Sequence, residues 1–261
     1  MKTIISENQR GLLFKNGKFV KMLAPGKYHT FGDKYIEISE TECELISSDC
    51  TIDTLLSNTE LAQNVTVIDI ADQQLALHFV NGKFQDACVS PGKHAYWNAF
   101  AKHEFRIVDI SSPETPADVP EYILSKLGGI YCKKVEVKEH EKARLYFNKK
   151  FIRLLDGGTY YFWRNGTAVD AEMVDTRLSQ MNIVGQELLT ADKVSIRVNF
   201  VISYKITDFV KIATEIDSFE EQIHIAAQLA LRDYVGNKKL DEILESKEEM
   251  TAFVLGKLKA R

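Results

Sequence analysis

The chain has only four cysteines in 261 residues, Cys43, Cys50, Cys88 and Cys132, and none stands in the close pairs that zinc sites use. That excludes a disulfide scaffold and suits free thiols in a reducing, cytosol-like compartment. Apolar runs are short: none nears the ~18 residues needed to cross a bilayer, and Met1 to Arg10 lacks the apolar stretch of a secretory signal. The chain is therefore read as neither exported by such a signal nor membrane-spanning. Net charge is only -4, so nucleic acid is not expected as a partner. There is no Gly-x-Ser-x-Gly, and Gly157-Gly158 lacks the further glycines and the Lys-Ser/Thr pair of a phosphate loop. His29, His78, His94, His103, His140 and His224 show no His-x-x-x-His spacing. No catalytic, cofactor-binding or metal-binding residue is assigned, no cofactor is expected, and the protein is read as non-enzymatic.

What is present is ordinary for a globular protein: 45% apolar and 27% charged residues, enough for a core without covalent staples. The chain also repeats itself. Phe14-Lys15-Asn16-Gly17-Lys18-Phe19 is followed by Pro25-Gly26-Lys27-Tyr28 and Phe31; Phe79-Val80-Asn81-Gly82-Lys83-Phe84 by Pro91-Gly92-Lys93-His94 and Trp97. A third copy reads Phe147-Asn148-Lys149-Lys150-Phe151, then Gly157-Gly158-Thr159-Tyr160 and Trp163, giving spacings of 65 and 68 residues between leading phenylalanines. Asn-Gly between apolar residues specifies a two-residue hairpin, because both positions need positive φ. Pro-Gly predicts a second reversal of type II. The predicted structural turn residues are thus Asn16, Gly17, Pro25, Gly26, Asn81, Gly82, Pro91, Gly92, Gly157 and Gly158. Strands are expected after each hairpin and before the second and third, with a helix from Asp118-Val119-Pro120-Glu121 to Gly128-Gly129 and a weaker one near Asp53 to Leu61. Either turn dipeptide alone is common chemistry; their joint recurrence with the same flanking residues argues for duplication.

From Val194 to Thr207 apolar and polar residues alternate, with Val201 the exception, which predicts a long half-buried strand. Ser218-Phe219-Glu220-Glu221 predicts a capped helix ended by a left-handed Gly236, and Ser246-Lys247-Glu248-Glu249 caps a last helix. Its apolar stripe, Met250, Phe253, Val254 and Leu258, is core or a candidate interaction helix.

These motifs carry a family resemblance. Val174-Asp175-Thr176-Arg177, Gly185-Gln186-Glu187-Leu188-Leu189-Thr190, Asp192-Lys193-Val194-Ser195-Ile196-Arg197-Val198-Asn199 and Tyr204-Lys205-Ile206-Thr207-Asp208 resemble the SPFH (Band 7) domain of the slipin, or stomatin-like, branch. Leu231-Arg232-Asp233-Tyr234-Val235-Gly236, Leu240-Asp241-Glu242-Ile243-Leu244 and Lys247-Glu248-Glu249 are similar to that branch's following helices. The predicted fold class is α+β: three tandem antiparallel β-meander units, the last continuing into an SPFH domain with helices on one face of the sheet. The domains expected are 1–62, 63–129 with its linking helix, and 130–261.

The resemblance implies a homo-oligomeric scaffold that organises or regulates membrane proteins, such as proteases or channels, with an NfeD-family protein as a client. It implies a cytoplasmic location peripheral to the inner face of the membrane. The family's amino-terminal membrane-inserting segment has two β units in its place, which leaves lipid contact to dispersed lysines such as Lys18, Lys27, Lys83, Lys93 and Lys150. The end at Lys257-Leu258-Lys259-Ala260-Arg261 falls inside a predicted helix, so a longer natural protein is expected. The alternative reading is a soluble protein-binding adaptor that uses its repeated hairpins.

Overall fold

A computed structural model describes residues 1–259; Ala260 and Arg261 lie outside the described residues. The chain divides into two compact units, Met1–Lys134 with Tyr160–Thr167, and Val135–Thr159 with Ala168–Arg261. It is a mixed α/β protein with mostly antiparallel strands.

The first unit opens with β1 (Lys2–Ile5), the hairpin β2 (Gln9–Lys15) and β3 (Lys18–Leu23), then β4 (Gly26–His29) and β5 (Lys34–Glu40). After short helices α1 (Ile52–Leu56) and α2 (Thr59–Gln63), the order recurs as β6 (Val65–Ile70), β7 (Gln74–Val80), β8 (Lys83–Cys88), β9 (Gly92–Trp97) and β10 (His103–Asp109). Following α3 (Glu121–Leu127) come β11 (Cys132–Val137), β12 (Glu141–Phe147), β13 (Lys150–Leu155), β14 (Gly158–Trp163) and β15 (Val169–Asp175).

A meander would pair these strands in chain order, and they do not pair so. The three-stranded sheets run β3-β2-β5, β10-β7-β8 and β13-β12-β15, while β4, β9 and β14 leave their hairpins to pair with β1, β6 and β11. The glycines explain the departure. Gly26, Gly92 and Gly158 have φ of +156°, +123° and +154°, not the roughly +80° of a type II turn. Such angles, open essentially to glycine alone, carry the chain across to another strand instead of folding it back. The expected type II chemistry and meander order are corrected on this point.

At the hairpin tips Asn16 and Gly17 have φ of +51° and +73°, and Asn81 and Gly82 +51° and +76°. The third tip keeps this geometry without glycine, Asn148 and Lys149 lying at +50° and +67°. The third copy must be realigned by one residue, because the partner of Phe14 and Phe79 is Tyr146 rather than Phe147. Each sits at a register shift, and each meets the next strand's phenylalanine edge-on, at 5.8, 5.7 and 5.9 Å for Phe14–Phe19, Phe79–Phe84 and Tyr146–Phe151.

Two cores form in the first unit. Leu12 and Phe14 of β2 pack with Leu55 and Leu61 of the short helices and with Ala95 and Trp97 of β9. Leu75, Leu77, Phe84 and Val108 pack with Ile123, Leu124 and Leu127 of α3 and with Tyr161 and Trp163 of β14. Each fully buried leucine or isoleucine contributes roughly 1.5–3 kcal/mol. The start of α3 is not the expected cap: Pro120 holds the N-cap without a side-chain bond, and the Asp118 carboxylate pairs with Arg106 instead. Gly128 closes the helix as predicted.

In the second unit the long strand β17 (Ser195–Tyr204) pairs with β16 (Ser179–Leu189), a strand the sequence did not suggest. Helices α4 (Lys211–Thr214), α5 (Phe219–Gly236), α6 (Leu240–Glu245) and α7 (Lys247–Lys259) follow. Exposure alternates strictly along β17, and Ile196, Val198 and Phe200 pack on Leu231, Val235 and Val254. Two capping expectations fail. Ser218 is left-handed and makes no side-chain cap bond, so only the Glu220 and Glu221 charges favour that terminus. Gly236 is the last helical residue rather than a left-handed stop, and Asn237 is the C-cap.

Candidate functional site

Most predicted turn residues shape the chain without forming a site. Asn16, Gly17, Asn81 and Gly82 are exposed at hairpin tips; at the crossings Pro91, Gly92, Gly157 and Gly158 are exposed, and Pro25 and Gly26 half-buried. The predicted helix stripe turns inward. Val254 is fully buried, Met250 and Leu258 pack against the same core, and the Phe253 ring meets Tyr234 at 5.4 Å. Leu255 of α7, which the stripe did not include, is a large apolar residue left exposed.

In the second unit an open groove of about 490 Å³ lies beside the end of β17. Ile206, Ile212, Phe219, Ile223, Leu255 and Leu258 give it an apolar lining, and Lys205, Lys211 and Lys259 stand at its border. At one wall the Tyr204 hydroxyl donates to the Glu220 carboxylate at 2.7 Å, and that bond together with burial pushes the phenol up to about 12. Its mainly apolar lining suits an apolar segment.

The first unit contains a histidine cluster that spacing along the chain did not reveal. His78 and His103, 4% and 9% exposed, meet through Nε2 and Nδ1 at 2.9 Å. Asp86 faces His78 Nδ1 at 3.0 Å, and the Trp97 carbonyl faces His103 Nε2 at 3.1 Å. Strand alternation gave no signal for it: Leu75 and Leu77 face the core with α3, and His78 lies on the other face of β7, at the position held by Leu13 and Leu145 in the other hairpins.

Nearby in the chain, Cys88 Sγ lies 3.6 Å from His94 Nε2, and Glu44 lies 2.6 Å from His94 Nδ1. The order thiol, imidazole, carboxylate is that of a nucleophilic triad. It does not act as one. His94 Nε2 donates to the Ser90 carbonyl at 2.8 Å, leaving no lone pair for the thiol proton. Burial lowers the affinity of His94 for its proton, but the Ser90 carbonyl and Glu44 outweigh it, and the net shift is upward. Burial also raises the Cys88 thiol and holds Cys132 up at about 12, the opposite of an activated sulfur. Among the described residues no group of three or more His, Cys, Asp or Glu is arranged to hold a metal, and no helix is long and apolar enough to cross a membrane.

Comparison with known proteins agrees with the resemblance. The family model described as SPFH domain / Band 7 family matches residues 135–261. Relatives include a stomatin homolog of Pyrococcus horikoshii, 27% identical over 114 residues, 44% of this chain and 42% of that protein. Stomatin of Mus musculus is 30% identical over 122 residues, 46% of this chain and 42% of its own length. Stomatin-2 of Caenorhabditis elegans is 30% identical over 125 residues, 47% of this chain and 32% of its own. The chain spans less than half the length of these relatives. Residues 135–261 are an SPFH (Band 7) domain of the stomatin-like branch.

Proposed function

We propose that the protein is a non-enzymatic oligomeric scaffold of the slipin or stomatin type, organising or regulating membrane proteins such as proteases or channels. The observation that carries this reading is the unfilled apolar surface of its SPFH domain. Beyond the groove, Val184, Leu189 and Val201 are exposed on the long β16–β17 hairpin, and among the described residues those strands pair only with each other. A hairpin with two open edges is a template for strand addition. Light scattering across a concentration series tests the reading: assemblies are expected, and a monomer throughout overturns it.

The chain is read as three copies of one β unit at 1–62, 63–129 and 130 onward, supported by the shared hairpin angles and edge-on aromatic pairs. Clients are membrane proteins of the NfeD or protease kind, met at the inner face of the membrane, where the exposed Lys18, Lys27, Lys83, Lys93 and Lys150 offer weak attraction to anionic lipid. A second reading, a soluble adaptor, draws on the edge strands β3, β8 and β13, each able to accept a partner strand. Flotation with anionic liposomes separates them: the scaffold floats, and the adaptor stays with the soluble fraction.

A further inference from the structure

The imidazoles of the first unit are not required by its fold. Where β7 carries His78, the equivalent strands carry Leu13 and Leu145; where β10 carries His103, they carry Lys34 and Val169. Asp86, His78, His103 and the Trp97 carbonyl form one chain of three contacts at 3.0, 2.9 and 3.1 Å. Both ends of that chain are acceptors, a carboxylate and a carbonyl, so three hydrogen bonds need three ring protons. Two neutral imidazoles carry two. The chain is complete only with one proton in excess, and because a carboxylic acid is a far stronger acid than an imidazolium, that proton belongs to the rings.

We propose that His78 and His103 form a proton-binding centre that holds one proton beyond two neutral rings and gives the first unit a stability optimum near the ordinary histidine range. From β8 comes Asp86, two-thirds exposed at 67%, which links the pair to solvent and balances its charge. From β9 comes Tyr96, 4.6 Å from the His78 ring, whose phenol burial, Glu44, Cys88 and Asp86 all keep protonated. From β10 comes Phe105, stacked on His78 at 4.6 Å, a neutral face. Burial and His78 together depress His103, which marks it as the neutral member, donating from Nε2 to Trp97.

The sign of the pH dependence follows from counting protons. Above roughly pH 6.5 the unfolded rings hold no extra proton and the folded pair holds one, so stability falls as pH rises. Below that value the unfolded rings hold two and the folded pair one, so stability falls as pH drops. Each limb approaches about tenfold in the folding constant per pH unit, the slope of a one-proton difference.

Nitrogen-15 NMR of the histidine rings in the full chain tests the centre. At pH 7 one ring of the pair should carry protons on both nitrogens and the other on Nε2 alone; two singly protonated rings overturn the proposal. Denaturant titrations from pH 5 to 8 read the linkage. The double variant His78→Leu with His103→Val takes the residues of the third copy and should lose the optimum centred on the pair, keeping only the shallower fall with rising pH that His94 contributes. A native chain without an optimum, or a double variant with the same curvature, also overturns it. Should the variant fail to fold, the NMR assignment decides alone.

Discussion

Trp97 donates its indole N–H to the Ser39 hydroxyl at 2.9 Å, whereas Trp163, at the same place on the next returning strand, buries its N–H without a partner. Strand register explains the difference. Ser39 lies opposite Arg10 in β5, and the corresponding residue of β10, opposite Leu75, is Val108. Where the first sheet carries a hydroxyl at this register position, the second carries a valine with nothing to accept the bond. Ser39→Ala should therefore cost about 1–2 kcal/mol by orphaning a second buried donor. Val108→Thr, ordinarily destabilising in a core, should be neutral or stabilising by about 1 kcal/mol. Urea unfolding of both variants checks the pair, and a Val108→Thr loss as large as that of Val108→Ala would refute the register argument.

Lys149 holds a left-handed conformation, φ +67°, that Gly17 and Gly82 hold in the other hairpins. A side chain there costs roughly 1 kcal/mol, while its exposed ion pair with Asp170 returns little. Lys149→Gly should raise the thermal midpoint. A fall in calorimetry would show that the ion pair outweighs the backbone strain.

Restoring the Pro-Gly of the first two units in the third should not stabilise it. A Cβ at Gly157 would stand 3.0 Å from Glu139 Cα and 3.2 Å from the Lys138 carbonyl, backbone atoms that cannot swing aside. Gly157→Pro is expected to lower stability instead of giving the ~0.4–1 kcal/mol gain of a compatible proline. The unfolding midpoint of the variant decides it.

His94 adds its own pH dependence. Its folded affinity for a proton is raised, net of burial, by the Ser90 carbonyl and Glu44. Its stabilisation is thus fully present below the unfolded value, about 6.5, and is lost as pH rises through the folded value. The stability difference between the native chain and His94→Gln should be largest in mild acid and shrink toward pH 9. A difference that grows with pH in paired denaturant titrations would contradict the hydrogen-bond assignment.

Local demands were legible in the residues themselves. Asn16-Gly17 and Asn81-Gly82 announce their hairpins because few other residues accept positive φ, and the alternation from Val194 announces β17 because side-chain direction in a strand has a period of two. The SPFH motifs lie in the same stretch. The tertiary structure alone decided the partners of these elements: that β4, β9 and β14 desert their hairpins, that β16 lies beside β17, that the Trp97 indole N–H finds Ser39 while that of Trp163 finds no acceptor, and that His78 meets His103 across 25 residues. A turn is set by the angles that two residues tolerate, but a strand's neighbour is set by which apolar face remains to be covered once every other element has packed, and no single stretch of chain contains that information.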